Sequence, residues 1–250
     1  MHTAPNSTLD PKEVAQFAAL AQEWWDPNGK FKPLHELGPA RIGYLRDEIV
    51  RHFARDPAIK DRPLAGLRLM DVGCGGGLVA EPLTRLGADV TGIDPGAETI
   101  AAALAHATSQ GLTIDYRATR IEDIAAKGET FDVVTCLEVV EHIPDVSAFL
   151  AAAANTVRPG GLLIVSTINR TLKSYALAII GAEYILRWLP PGTHDWNRFV
   201  TPDELAIYVK RAGLDAPRIT GLALDPLANR WALSSDTGVN YFAAAGKPLA

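Results

Sequence analysis

Cysteine is scarce in this 250-residue sequence, which holds only Cys74 and Cys136. Two residues so placed make neither a disulfide framework nor a metal-ligand spacing, and they suit a reducing compartment. Long uncharged apolar runs are missing too, so no segment reads as a bilayer-crossing helix. A basic excess is also absent. Twenty-four Lys and Arg against 29 Asp and Glu leave a formal net charge of −5. That argues against a nucleic-acid partner, which calls for a basic face. The opening stretch, MHTAPNSTLDPKEVAQF, lacks the basic start and apolar core of a secretory signal and the arginines of a transit peptide, so a cytoplasmic location is expected. There are no internal repeats. What remains is an ordinary globular composition, 48% hydrophobic and 21% charged, able to bury a sizeable core.

From Leu67 onward short apolar runs alternate with helical patterns. LRLMDV (67–72), DVTGID (89–94), TIDYRAT (113–119), FDVVTCLE (131–138) and GLLIVSTI (161–168) read as strands. LVAEPLTRL (78–86), AETIAAALAHATSQ (97–110) and DVSAFLAAAANTV (145–157) read as helices. This alternation implies βαβ units and a parallel sheet covered on both faces. TPDELAIYVKRAG (201–213) opens with Thr201 and Glu204 at capping-box spacing and closes on Gly213, so it is a helix. Two strand-like segments follow, 216–224 and 239–245, joined by a long polar connection. Before the core, 11–25 and 41–53 read as two helices joined by DPNGKFKPLHELGP. The expectation is one domain over 1–250: a helical cap over 1–60 and a core over 61–250.

DVGCGGG (71–77) sits where the first strand hands over to a helix. Glycines there let the chain turn sharply and let a ligand approach main-chain N–H groups. Asp94 closes the second strand, where a carboxylate can accept bonds from both ribose hydroxyls of an adenosine-type ligand. The blander reading is a tight turn followed by a strand-end aspartate that caps a helix. Glycines 73, 75 and 77 spell G-x-G-x-G rather than the dinucleotide G-x-G-x-x-G. Asp71, two residues ahead of Gly73, would repel a pyrophosphate but suits an ammonium and a sulfonium. S-adenosylmethionine is therefore the expected ligand, with a nicotinamide dinucleotide as the rival.

These residues resemble the class I S-adenosylmethionine-dependent methyltransferases. WWDPNGKFKPLHELGPARIGYLRD (24–47), LEVVEHIPD (137–145), STINRTLKSY (166–175), GAEYILRWLPPGTHDW (181–196) and DPLANRWALSSDTGVNY (225–241) narrow the resemblance to the O-methyltransferases of ubiquinone biosynthesis. Two positions depart from that pattern, Gly38 and Asp225, both where Asn is usual and both outside the glycine loop. The resemblance implies a Rossmann-like, seven-stranded α/β sheet whose last strand is antiparallel. It also implies cofactor contacts at Arg41, Gly73, Asp94 and Leu137, beside Asp71 and Gly75 of the loop itself. Arg41 would pair with a methionyl carboxylate as a bidentate donor. On sequence alone it would pass for a surface arginine. The implied reaction is O-methylation of a phenolic hydroxyl on a polyprenylated catechol or a demethylated quinol.

Glu138, Glu141 and His142 lie three and four residues apart. If a helical turn started at Glu138, all three would project on one side. Free phenols ionise near the tyrosine value of about 10, so transfer to a phenol needs a base or a Lewis acid at neutral pH. In one reading the three residues hold a divalent cation, magnesium ahead of manganese, cobalt or zinc. In another His142 is the general base and Glu141 orients it. In a third the carboxylates merely favour a helix start. The resemblance favours the metal. His194 and Asp195 form a second, weaker pair for the substrate hydroxyl.

LKSYALAIIGAEYILRWLPPG (172–192) is an apolar insertion. It reads either as a buried lid or as an amphipathic surface resting on the inner face of the cytoplasmic membrane. The resemblance adds a quinone-making assembly as a partner. It leaves two other outcomes, a non-catalytic S-adenosylmethionine-binding subunit or an enzyme for another phenol.

Overall fold

The computed structural model describes residues 15, 20–176, 195–225, 228 and 230–249. Its centre is an eight-stranded sheet in the order β3-β2-β1-β4-β5-β8-β6-β7. The strands are β1 (Arg68–Val72), β2 (Asp89–Asp94), β3 (Asp115–Ala118), β4 (Phe131–Leu137), β5 (Val157–Ile168), β6 (Arg218–Asp225), β7 (Arg230–Ser234) and β8 (Asn240–Gly246). β1 to β5 pair in parallel, β8 runs antiparallel to both β5 and β6, and β7 pairs antiparallel with β6. The class expected from the sequence is present with one strand more than expected. β7 arises inside the polar connection, where RWALS folds back on LALD as a hairpin.

The helices are α1 (Lys32–His52), α2 (Ala80–Arg85), α3 (Ala97–Ser109), α4 (Ile121–Ala126), α5 (Val146–Thr156), the single turn α6 (Leu172–Ser174) and α7 (Pro202–Arg211). α7 keeps the expected capping box, with the Thr201 hydroxyl accepting from Glu204 N and the Glu204 carboxylate accepting from Thr201 N. α1 differs from expectation. Its first turn begins inside the stretch read as a linker, because Pro33 occupies the start, where no helical N–H partner is needed. Pro39 lies within the helix without ending it.

Two apolar layers cover the sheet. On one side α1, α2 and α3 bury Tyr44, Leu45, Ile49, Leu83 and Ala107 against Leu69, Val133, Ile164 and Phe242. On the other, α4, α5 and α7 bury Ile124, Phe149, Leu150 and Leu205 against Met70, Val134, Val165 and Tyr241. Strand parity decides membership, since successive residues point to opposite faces. Near its start β5 takes up extra residues against β4: Phe131 faces Val157, yet Val133 already faces Leu162. From there the register is regular to Leu137 opposite Ser166. The strand order reverses between β1 and β4, so their C-terminal ends flank a crevice, the usual ligand position in open α/β sheets.

Candidate functional site at the β1 and β4 ends

The loop after β1 bends through left-handed backbone at Gly73 (φ +70) and Gly75 (φ +52). A Cβ on Gly73 would stand 2.6 Å from Val139 Cγ2, and one on Gly75 would stand 2.4 Å from Trp24 Cη2. Neither position admits a side chain. Asp94 braces the same loop: its carboxylate accepts from Gly96 N at 2.8 Å and from Gly75 N at 3.3 Å. Burial pushes this carboxyl up, and the two backbone donors pull it partly back.

Asp71 and Thr135 face each other across β1 and β4 on the α1 side. Thr135 donates to Asp71 Oδ1 at 2.7 Å, while Asp71 Oδ2 is buried with no partner among the described residues. Burial raises the Asp71 carboxyl to about 6, opposed by the Thr135 hydroxyl and the Arg41 charge. Arg41 comes from α1, only 4% exposed, and its Nε likewise has no partner. Burial lowers its pKa, while the charges of Glu138 and Asp71 hold it up. Arg41, Asp71 and Glu138 thus share one electrostatic neighbourhood, which contains an orphaned donor and an orphaned acceptor. Native folds rarely leave such atoms buried without a reason. Leu137, buried at the end of β4, packs in the same apolar layer as α1.

Glu138, Glu141 and His142 do not project together. Glu138 takes φ +55, a left-handed value that costs a β-carbon residue about 1–2 kcal/mol. The turn that follows is a 3-10 turn over Val140–His142, so Glu138 stands outside it. Its carboxylate accepts from Ser166 Oγ at 2.6 Å, and its N–H donates to Ser166 O at 3.1 Å. Glu141 is 4% exposed and accepts from Thr167 Oγ1 at 2.9 Å. Ser166 and Thr167 are adjacent on β5 and therefore point to opposite faces. Ser166 lies opposite Phe242 of the α1 layer, Thr167 opposite Tyr241 of the α5 and α7 layer. The two carboxylates are thus drawn to opposite sides of the sheet, which corrects the expectation of a common face. Among the described residues no three His, Cys, Asp or Glu are grouped to hold a metal ion. Burial first and the Glu138 charge second push the Glu141 carboxyl up to about 7, with His142 opposing them.

Several residues that sequence reasoning passed over shape the site. Trp24 lies over Gly75 and Gly76, stacked on Phe31 with ring centroids 3.8 Å apart. Trp25 donates from Nε1 to Gly76 O at 2.8 Å and stacks on His106 at 3.6 Å. His35 Nε2 donates to Trp24 O at 2.8 Å. The paired tryptophans carried a signal, being large aromatics in a polar stretch, but nothing local says that they reach a loop some fifty residues on. His194 lies outside the described residues. Asp195 caps the short turn Trp196–Arg198, accepting from Asn197 N. Most of the insertion, 177–192, also lies outside them. At its start Leu172 is 83% and Tyr175 44% exposed. No described helix is long and apolar enough to cross a membrane.

Comparison with known proteins gives the same picture. A family model described as a methyltransferase domain matches residues 40–216. A ubiquinone biosynthesis O-methyltransferase of Azorhizobium caulinodans is 53% identical over 248 residues, spanning 99% of this chain and 97% of that one. One of Cereibacter sphaeroides is 53% identical over 243 residues, with 97% and 98% covered. Among solved structures, magnesium protoporphyrin IX methyltransferase from Synechocystis, with bound S-adenosylhomocysteine, superposes with a TM-score of 0.63. It is 19% identical and covers 94% of this chain and 93% of its own. At that identity the likeness speaks for the fold.

Proposed function

Since this chain belongs to the ubiquinone-biosynthesis O-methyltransferase family, we propose that it methylates a phenolic oxygen of a polyprenylated catechol or demethylated quinol, with S-adenosylmethionine as donor. One observation carries the reading. Among the described residues, buried Arg41 Nε and Asp71 Oδ2 lack partners where β1 and β4 part. A ligand with both a carboxylate and an ammonium satisfies both, the carboxylate on Arg41 and the ammonium on Asp71. Asp94 is left to take the ribose hydroxyls, Gly73 and Gly75 give the backbone approach, and Leu137 gives an apolar wall. Bound S-adenosylmethionine supplies a methyl on a sulfonium, open to in-line displacement.

The chain's part is to hold the ring in line and to take its proton. His142, half-buried in the turn after β4, takes the phenol proton as the oxygen–methyl bond forms and the sulfur–methyl bond breaks. The products are the methyl ether, S-adenosylhomocysteine and a proton on His142 that passes to solvent. Glu141, close enough for the two charges to interact, favours the protonated imidazole. A second reading has a divalent cation at Glu138, Glu141 and His142. It draws on the repulsion by which Glu138 raises Glu141, which a cation would relieve. The side chains of the described residues do not form its ligand set.

Methyl transfer to a short-tailed demethylated quinol, after EDTA treatment and again with magnesium restored, tests both. Full activity in EDTA, lost in His142→Ala, is expected. Loss in EDTA with recovery on magnesium would replace the base by the cation. No turnover under either condition, with the donor still bound, would leave a non-catalytic binding subunit. The exposed Leu172 and Tyr175 support a peripheral membrane contact through 172–192. The intact chain should float with anionic liposomes and a deletion of 174–189 should not; equal flotation would sink that contact.

A further inference from the structure

Asn169 follows β5 immediately, and its backbone continues the ladder to the β8 side by donating to Val239 O at 2.7 Å. β4 ends at Leu137 opposite Ser166, so Asn169 lies beyond the end of β4, at the level of the Val140–His142 turn. It stands two residues past Thr167 and thus on the strand face that holds Glu141. Its place is closely fixed. Its carbonyl accepts from Thr171 N at 3.0 Å and from Ser174 Oγ at 2.5 Å. Its Nδ2 donates to Thr237 O at 2.8 Å. The amide cannot be turned over, since that would set two acceptors against each other. Oδ1 is therefore held away from Thr237, and it is buried with no partner among the described residues, on a residue 7% exposed.

A fixed, buried acceptor at the ligand end of the sheet calls for a donor that the described residues do not supply. We propose that Asn169 is a specificity-determining, substrate-binding residue whose Oδ1 accepts a hydrogen bond from the ring hydroxyl next to the one being methylated. The assignment rests on the phenol-methylating reading above and narrows it, because the preferred ring must carry a free hydroxyl beside the reacting one. A catechol has one, and so does a demethylated quinol. Asn169 itself neither gives nor takes a proton. It holds the ring so that the reacting oxygen faces the donor, and it leaves a ring without the second hydroxyl facing an unpaired acceptor.

The test compares two short-tailed acceptors on the same protein: a catechol, and the monophenol lacking the neighbouring hydroxyl. The full chain is used at saturating S-adenosylmethionine, in EDTA and in magnesium. The wild type should prefer the catechol. Asn169→Ala should lose roughly tenfold in kcat/KM on the catechol and less than about twofold on the monophenol, donor affinity being unchanged. Asn169→Ser, smaller but still carrying a donor for the Thr237 carbonyl, should show the same selective loss if the alanine variant folds poorly. A ratio of the two rings on one variant cancels any change in the folded fraction. Equal losses on both rings, or a preference that survives substitution and vanishes only in EDTA, would overturn the assignment. Turnover of neither ring by the wild type, with the donor bound by calorimetry, would instead overturn the phenol-methylating reading and this assignment with it.

Discussion

The two sides of the sheet treat their buried charges differently at the crevice end. On the α1 side, Asp71 and Glu138 both act on Arg41, yet Arg41 Nε and Asp71 Oδ2 are unsatisfied among the described residues. On the α5 and α7 side, Glu141 is engaged by Thr167, and the hydroxyl of the neighbouring Tyr241 is used up on Val200 O at 2.9 Å. Burial is similar on the two sides: Arg41 and Glu141 are each 4% exposed. The difference lies in which hydrogen bonds are left open. An open pair of opposite sign is a place made for a zwitterion, whereas the engaged Glu141 fixes the turn that presents His142. Donor-binding assays should therefore respond to the first side; on the second, Glu141 should register in stability and the open Asn169 Oδ1 in the choice of acceptor ring.

The largest effect is expected at the glycine loop. Gly75→Val would force a β-branched residue into left-handed backbone and against Trp24. Calorimetry should show S-adenosylmethionine affinity falling more than about 100-fold, with a lower Tm; binding within tenfold of wild type would contradict the steric reading. Next comes Asp71→Asn, which keeps the shape and the Thr135 contact but removes the charge. Losing a charge-assisted hydrogen bond should weaken donor binding by roughly 10- to 100-fold. An unchanged Kd would move the ammonium elsewhere.

The same carboxylate sets a pH dependence. Asp71 titrates near 6 because it is buried, and an ammonium ligand binds its ionised form. Affinity should hold above pH 6 and fall by up to about tenfold per unit below it. Asp71→Asn should flatten that profile, and a profile flat in the wild type would break the link. The smallest effect belongs to Glu141. Glu141 is pushed up to about 7 in the folded chain, above the usual carboxylate value of about 4.3. Its contribution to stability is full below that value and is lost as pH rises through 7. Glu141→Gln, which keeps an acceptor for Thr167, should raise Tm by about 2–4 °C at pH 8 relative to wild type. The difference should shrink as pH falls and vanish below about pH 4, with donor Kd unchanged. A shift in Kd would mean that the two sides are not separate.

Much of this was legible in the sequence. The βαβ rhythm from Leu67, the glycine loop and the strand-end Asp94 depend on local patterns and stand where those patterns put them. The capping-box and helix signal of TPDELAIYVKRAG (201–213) also held. IEDIAA was too short to show a helical period and was passed over, although it forms α4. RWALS hid in a polar stretch because a five-residue edge strand needs its partner to define it. The common face expected for Glu138, Glu141 and His142 failed for a physical reason. It assumed an α-helical turn from Glu138, whereas Glu138 N–H is tied to Ser166 and the turn begins two residues later. Those partners lie 28 and 26 residues away along the chain, outside the reach of any local pattern. Asn169 was equally silent, since an orphaned oxygen exists only once the fold has assigned every other partner.

The extra residues that β5 takes up opposite Phe131 and Val133 bear on how this site tolerates change. Ser166 and Thr167 are adjacent, and a slip of one residue between β4 and β5 would give one carboxylate the other's hydroxyl on the wrong face and leave the second facing Val165 or Ile168. Slack in the pairing sits at the opposite end of the strand, by the Arg158–Gly161 corner, where a gained or lost residue is absorbed before the ladder becomes regular. The chain can thus vary in length at its far rim while the even-and-odd count at the crevice stays the same.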